Sequence, residues 1–62
     1  MLYMLTFMDS LGRVIVATEI ECASDARAVA AAVERLNDDP EFASVTIRTS
    51  GDAVARFERR PH

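Results

Sequence analysis

Residues 2–8 read LYMLTFM, and residues 9–12 read DSLG. The first segment is an apolar run of strand length with two aromatic side chains, so both faces of such a strand are apolar. Because a strand with two apolar faces needs cover on both sides, we expect it at the centre of a sheet. Asp9 at the first turn position and Gly12 at the fourth predict a type I hairpin turn, which a left-handed glycine closes with a bulge.

After this turn the spacing of apolar residues changes once, from that of a strand to that of a helix. Residues 13–22 alternate between apolar and polar side chains, which is typical of a strand with one solvated face. Ser24 is a suitable N-cap, and the apolar spacing then becomes that of an amphipathic helix over residues 26–37. The predicted buried stripe of this helix consists of Ala26, Val29, Ala30, Val33, Leu36 and Asn37.

The C-terminal third predicts a second hairpin. Residues 42–49 and 53–59 alternate around a tight turn at residues 50–52, and we expect a frayed tail at residues 59–62. The predicted fold is a single α+β domain over residues 1–62, in the order ββαββ, with a four-stranded antiparallel sheet and one helix packed on one face. We place the first and last strands near the middle of this sheet, and the second and third strands at its edges.

One group of proteins combines the same features. The opening strand carries Tyr3 and Phe7, a D-x-x-G turn ends at Gly12, and the helix opens near Ser-Asp-Ala-Arg-Ala, which includes Ala28. This layout resembles that of small uncharacterised bacterial ββαββ proteins over most of the chain. It departs from them before the helix, where residues 19–22 stand in place of an acidic segment. That group carries no assigned activity, so the resemblance implies the fold and no function.

The length of the chain limits how it can be stabilised. A domain of 62 residues encloses one core, and it buries only about 60% of its unfolded surface. Cys22 is the one cysteine and His62 the one histidine, so neither an intramolecular disulfide nor a four-ligand zinc site can form within one chain. We therefore expect no cofactor, and we expect self-association, most simply as a homodimer, to supply the missing burial.

The N-terminal segment bears on the location of the protein. The apolar run over residues 1–8 has no preceding basic region and stops at Asp9, well short of the roughly 20 residues that span a bilayer. An unpaired thiol at Cys22 suits a reducing compartment. We expect a soluble cytoplasmic protein without membrane contact.

Two features have a catalytic interpretation. Glu19 and Glu21 lie two apart on a predicted strand and share a face, as a general acid/base pair would if a pocket closed over them. Cys22 precedes a helix N-terminus, where the helix dipole favours the thiolate and hence redox activity. A solvated sheet face and an inert buried thiol explain these residues more simply, because the only histidine is His62 at the chain end. We expect no enzymatic activity.

A single helix covers a single face of the predicted sheet, which leaves apolar side chains on the other face. This uncovered patch is larger than a soluble monomer usually exposes, and its methionines suit an adaptable contact surface. The predicted oligomer interface consists of Leu2, Met4, Met8, Ile15 and Val54.

Charge is distributed unevenly along the chain. Seven arginines and ten carboxylates give a net charge of −3, and there is no lysine. The part up to Glu41 holds three of the arginines and eight of the carboxylates. The four later arginines form a predicted stripe for contact with an anion or a nucleic acid: Arg48, Arg56, Arg59 and Arg60. Pairing of these arginines with Glu19, Glu21 or Glu58, across the sheet or across a dimer, is the simpler interpretation.

The leading hypothesis for function is a small interaction or regulatory module. Such a module binds a protein partner through a sheet face or through an open edge, since edge strands recruit partners by strand addition. The alternative is a nucleic-acid-binding protein that uses the arginine stripe. Net negative charge argues against the alternative, and so does the lack of a stacking platform, because only Phe42 among the four aromatic residues is expected to project outward.

Overall fold

Four antiparallel strands and one helix make up residues 1–59, the part of the chain that the computed structural model describes. The elements are β1 (Leu2–Met8), β2 (Val14–Glu21), α1 (Asp25–Asp38), β3 (Ser44–Thr49) and β4 (Asp52–Glu58). The strands form one sheet in the order β2-β1-β3-β4, and α1 packs against it. The predicted ββαββ order and α+β class are confirmed.

The direction of α1 decides which strand pairs with β1. Strand β1 lies inside the sheet as predicted, but its second neighbour is β3, and β4 forms the edge. The prediction that the last strand lies near the middle and the third at an edge is therefore wrong. The 14 residues of α1 span about 21 Å, enough to return the chain to the end of the sheet where β2 begins. Strand β3 then runs antiparallel to β1, whereas β4 would run parallel to it.

The turn between β1 and β2 is held by the carboxylate of Asp9. Its Oδ1 atom accepts hydrogen bonds from the backbone N–H groups of Leu11 and Arg13, each at 2.9 Å. The hydrogen bond from the Arg13 backbone, followed by that from Leu11, lowers the pKa of Asp9 below its usual value. Gly12 has a φ of 81°, so the left-handed glycine predicted at this position is confirmed.

The helix packs on the sheet through small side chains. Ser24 caps it by accepting a hydrogen bond from the backbone N–H of Arg27 at 3.3 Å. The buried residues repeat every four positions and are Ala28, Ala32 and Leu36. The predicted stripe is correct for Leu36, and Val29 and Val33 are half-buried. It is wrong for Ala26, Ala30 and Asn37, which are exposed. The alanine-rich sequence offers several helix faces of similar polarity, and packing against the sheet selects among them.

An aromatic pair closes the core at one end of the sheet. The core is formed by Tyr3, Leu5, Phe7, Ala28, Ala32, Leu36, Phe42, Val45 and Ile47. The rings of Phe7 and Phe42 stack with their centroids 4.5 Å apart and an interplanar angle of 25°. The prediction that Phe42 projects outward is wrong, since Phe42 is only 4% exposed. Strand β3 begins at Ser44, so Phe42 belongs to the preceding loop and is not subject to strand alternation.

One departure from regular alternation occurs in β4. The register changes between Ile47 and Arg48, which pair with Ala55 and Ala53, so Val54 is an extra residue on β4. Val54 is half-buried and packs against the core cluster. Its predicted place on the uncovered face is therefore wrong, because a bulge changes the direction of the side chains.

Arg59, the first residue after β4, is held by hydrogen bonds to the loop between α1 and β3. The backbone N–H of Arg59 donates to the Ala43 carbonyl at 2.7 Å. The guanidinium group donates to the carbonyls of Phe42 at 3.0 Å and Asp39 at 2.7 Å. Arg59 is thus not part of a frayed tail, because its side chain ties β4 to the loop between α1 and β3. Arg60 and the rest of the predicted tail lie outside the described residues.

Truncation of Phe42 tests its burial. Phe42→Ala should lower the free energy of unfolding by about 3–5 kcal/mol, since a buried ring is replaced by a cavity. At roughly 0.05–0.15 kcal/mol per residue, this loss approaches the whole stability of so small a domain. Urea unfolding followed by circular dichroism measures it. Leu11→Ala, at a residue 74% exposed, is the control and should change stability by less than about 0.5 kcal/mol. Equal effects of the two substitutions would contradict the packing of Phe42.

Candidate functional site

The two faces of the sheet differ in their cover. The inner face packs on α1, whereas no helix or strand of residues 1–59 lies over the other, which we call the outer face. Alternation along β1 places Tyr3, Leu5 and Phe7 inward. The intervening side chains project to the outer face, where Leu2 is 59% and Met4 37% exposed. An apolar central strand is thus open on one side.

A second apolar group lies at the other end of β1, beyond Thr6 and its partner Ala17. Met8 pairs with Val14, and Ile15 lies next to it in a break of the register. Val14 is 60% and Ile15 41% exposed. We use the term outer patch for the five residues Leu2, Met4, Met8, Val14 and Ile15. Exposed apolar side chains grouped on one face of a small domain are typical of a contact surface.

Four of the five predicted interface residues lie in the outer patch, namely Leu2, Met4, Met8 and Ile15. Val54 does not, because it is the extra residue of the bulge in β4 and packs against the core. Sequence reasoning missed Val14, which strict alternation assigned to the other face together with Val16. A signal was present, because Val14, Ile15 and Val16 are three apolar residues in succession and no strand alternation accommodates all three.

The predicted arginine stripe is only partly assembled. Arg48 and Arg56 are exposed on the last two strands, and Arg56 pairs in register with Thr46, two residues before Arg48. Arg59 is engaged with backbone carbonyls instead. Arg60 lies outside the described residues.

Arg48 and Arg56 both form contacts with other groups of the described chain. The Arg56 guanidinium lies 3.2 Å from the carboxylate of Glu58, and both side chains are more than half exposed. Such exposed pairs contribute about 0–1 kcal/mol to stability. Arg48 donates a hydrogen bond to the Gly51 carbonyl at 3.3 Å. Arg56 and Glu58 lie on the same strand, so this pair is not the predicted pairing of an arginine with Glu58 across the sheet.

The outer face has flanks of opposite charge. Glu19 and Glu21 are exposed on β2, on one side of β1, and the arginines lie on the other side. The register aligns Glu19 with Met4 and Met4 with Arg48, so these three residues form one row across the sheet. Two strand spacings separate Glu19 from Arg48, or about 10 Å. Neither of the two forms a salt bridge with another residue of the described chain.

A shallow depression of about 540 Å³ lies on this row. Its floor and walls are formed by Met1, Leu2, Met4, Glu19, Arg48, Thr49, Ser50 and Gly51. The depression is open to solvent and lined by apolar atoms between two charged side chains. An apolar side chain with a charged neighbour on each side would fill it.

The residues with a catalytic interpretation do not converge. Glu19 and Glu21 point into solvent from an open sheet face. Cys22 is half-buried and packs against the core, and its carbonyl accepts a hydrogen bond from the N-terminal amine at 3.1 Å. Residues 1–59 contain no group of three or more His, Cys, Asp or Glu side chains that could hold a metal ion. The same part of the chain contains no helix long and apolar enough to cross a membrane.

A buried tyrosine joins the sheet to the helix N-terminus. The Tyr3 hydroxyl donates a hydrogen bond of 2.6 Å to Oδ1 of Asp25, in the first turn of α1. This hydrogen bond, with the burial of the ring and the charge of Asp25, raises the pKa of Tyr3 to about 12. Residues 22 positions apart form this contact, so no local sequence pattern indicates it. The pair positions α1 on the sheet.

Ionisation of Tyr3 should destabilise the fold at high pH. Its pKa in the folded chain lies above the ordinary value of 10.0, so its contribution to stability is complete below about pH 10 and is lost as the pH rises toward 12. Tyr3→Phe should be less stable at neutral pH and should lack this part of the alkaline loss. Tyr3 is the single tyrosine, so tyrosinate absorbance reports on it alone. Equal ionisation midpoints in the folded and the urea-unfolded chain would contradict the hydrogen bond to Asp25.

Comparison of this chain with known proteins found no similar protein. No protein-family model matches the chain, and the searches of curated proteins and of solved structures gave no match. The geometry of the outer face is therefore the basis for a functional proposal.

Proposed function

We propose that this chain is a non-enzymatic interaction module that binds protein through the outer face of its sheet, and that a second copy of the chain occupies this face. The observation that carries the proposal is the outer patch, which lies on the one sheet face without a covering layer among the described residues. Burial of apolar surface is the main favourable contribution to protein association. A partner on this face would bury its apolar side chains, as α1 buries those of the inner face.

The size of the face suits a dimer. A standard interface takes about 800 Å² from each partner. The accessible surface of the chain is 4323 Å², so this area is about a fifth of it. The molecule measures 32 × 18 × 14 Å along its principal axes, and one broad side of such a body supplies an area of that order. Apolar side chains at the centre with charged side chains around them match the usual anatomy of an interface.

The charge distribution favours an identical partner. The face carries acidic residues on β2 and arginines on β3 and β4, so it offers both signs of charge to a copy of itself. A two-fold interface uses the same surface on both subunits and requires that this surface complement itself. A partner with a single sign of charge would attract one flank and repel the other. The outer edges of β2 and β4 would stay available in such a dimer for strand addition by another protein.

The exposure of Glu19 and Glu21 to solvent supports a role without catalysis. A general acid or base gains its function from a site that excludes water and orients a second group. Glu19 and Glu21 are exposed on the same face that we assign to binding. Cys22 packs against the core, and His62, the one histidine of the chain, is not near it in sequence.

The nucleic-acid alternative draws less support from the described residues. Phosphate binding needs arginines that are free to displace the counterions of the nucleic acid, yet Arg59 is bound to two carbonyls and Arg56 lies beside Glu58. Single-strand binding also needs exposed rings for stacking, and Phe42 is buried. Binding of labelled oligonucleotides at low salt that weakens steeply with added salt would favour this alternative.

A charge placed at the centre of the face tests the proposal. Wild-type chain should sediment with the mass of two chains, and Met4→Glu should sediment as a monomer, since each dimer would bury two new carboxylates. Met4 is 37% exposed, so the fold should tolerate the substitution, which circular dichroism verifies. Ala30→Glu adds the same charge on an exposed position of α1 and should leave the dimer intact. A monomeric wild type, or a Met4→Glu variant that dimerises as well as Ala30→Glu, would overturn the proposal.

A further inference from the structure

One row of the sheet sets the orientation of the second copy. Glu19 on β2, Met4 on β1 and Arg48 on β3 are aligned by the strand register, with one strand spacing between neighbours. The acidic and the basic side chain are therefore placed symmetrically about β1. Both lie on the rim of the same depression, whose apolar lining includes Met4.

A two-fold axis between stacked sheets can run along the strands or across them. An axis along β1 exchanges the left and right sides of the sheet, so β2 of one copy faces β3 of the other. An axis across the strands sets β2 over the partner's β2, and the arginine flanks over each other. Like charges opposed across an interface are costly, whereas opposed charges of different sign fix its orientation. The charges on this face therefore favour the axis along β1.

We propose that two copies of the chain pack outer face to outer face around a two-fold axis parallel to β1, so that Glu19 of each copy pairs with Arg48 of the other. This inference rests on the proposed function and adds the orientation and the specificity-determining residues to it. Met4 of one copy then lies on Met4 of the other at the centre, in the two depressions. Aligned sheet packing of this kind, with strands crossing at about 30°, is common between sheets.

The distances agree with this arrangement. Within one copy, Glu19 and Arg48 are about 10 Å apart across the strands, and the described residues offer neither of them a salt-bridge partner. Stacked sheets also lie about 10 Å apart, a gap that a glutamate and an arginine pointing toward each other can bridge. Each dimer would contain two such pairs at the margin of the apolar contact, where they determine specificity more than affinity.

Charge reversal at the two positions separates this orientation from all others. Glu19→Arg alone would set two arginine side chains against each other at each pair, and Arg48→Glu alone would set two glutamates against each other. Each single variant should raise the dimer dissociation constant by at least about tenfold. The double variant Glu19→Arg, Arg48→Glu has the wild-type composition of charges and should dimerise within about threefold of wild type.

Mixing the wild-type chain with the double variant is the decisive measurement. With the axis along β1, their heterodimer sets two glutamates against each other at one pair and two arginines at the other. With the axis across the strands, the Glu19 position of one chain faces that of the other, and the same heterodimer joins side chains of opposite sign at both pairs. Isotopic labelling of one chain lets native mass spectrometry distinguish the two, and heterodimer should fall below the statistical proportion by about tenfold or more at low salt. The deficit should shrink as salt screens the charges.

The matched control for this mixture changes the same charges elsewhere. Glu34→Arg and Arg27→Glu alter exposed positions of α1, on the opposite side of the sheet from the proposed contact. The chain that carries both control substitutions should dimerise like wild type and should mix with it in statistical proportion.

The outcomes distinguish the orientation from the proposed function. A deficit of heterodimer between wild type and the double variant, together with weaker dimers of both single variants, supports the axis along β1. A dimer that Met4→Glu disrupts, but in which wild type and the double variant mix statistically or preferentially, overturns the orientation and leaves the outer face as the contact surface. A monomeric wild type overturns both.

Discussion

The pairing of β1 on both sides, with apolar side chains on both its faces, is the constraint on which the rest of the structure depends. Its inner side chains Tyr3, Leu5 and Phe7 are at most 1% exposed and supply the largest part of the core. Its outer side chains have no such cover within the described chain, because α1 packs on the inner face. The exposed outer face therefore follows from a core that one helix closes on one side of a central strand.

Helix α1 fits this constraint because its contact residues are small. Ala28 and Ala32 are completely buried and let the helix axis approach β1 and β3 closely. The contact of Tyr3 with Asp25 holds the N-terminal end of the helix, and Arg59 holds the loop that follows its C-terminal end. These polar contacts use residues distant in sequence. They give α1 a defined position, and hence leave the opposite face of the sheet open.

The charged side chains on the outer face would favour one orientation of a bound partner. Glu19, Glu21 and Arg48 contribute little to the stability of one chain, because exposed charges are well solvated. Across an interface the same charges would distinguish one relative orientation of two sheets from another, which apolar contacts alone do poorly. The apolar strip along β1 would supply the affinity and the flanks would supply the specificity. This division of roles needs no catalytic group and no cofactor.

The sequence by itself determined the local features. Apolar runs, alternation, the N-cap at Ser24 and the turn at Gly12 identify the elements and place β1 inside the sheet, and alternation along β1 assigns Leu2 and Met4 to the face that α1 leaves uncovered. Only the tertiary structure decided the order of β3 and β4, the burial of Phe42, and the removal of Val54 from the outer face. Each of these depends on contacts between distant segments. The direction of α1 decides the strand order, packing of the loop before β3 against the core buries Phe42, and a bulge in β4 turns Val54 away from the outer face. Periodicity describes neighbours along the chain, so it is silent where neighbours in space set the geometry.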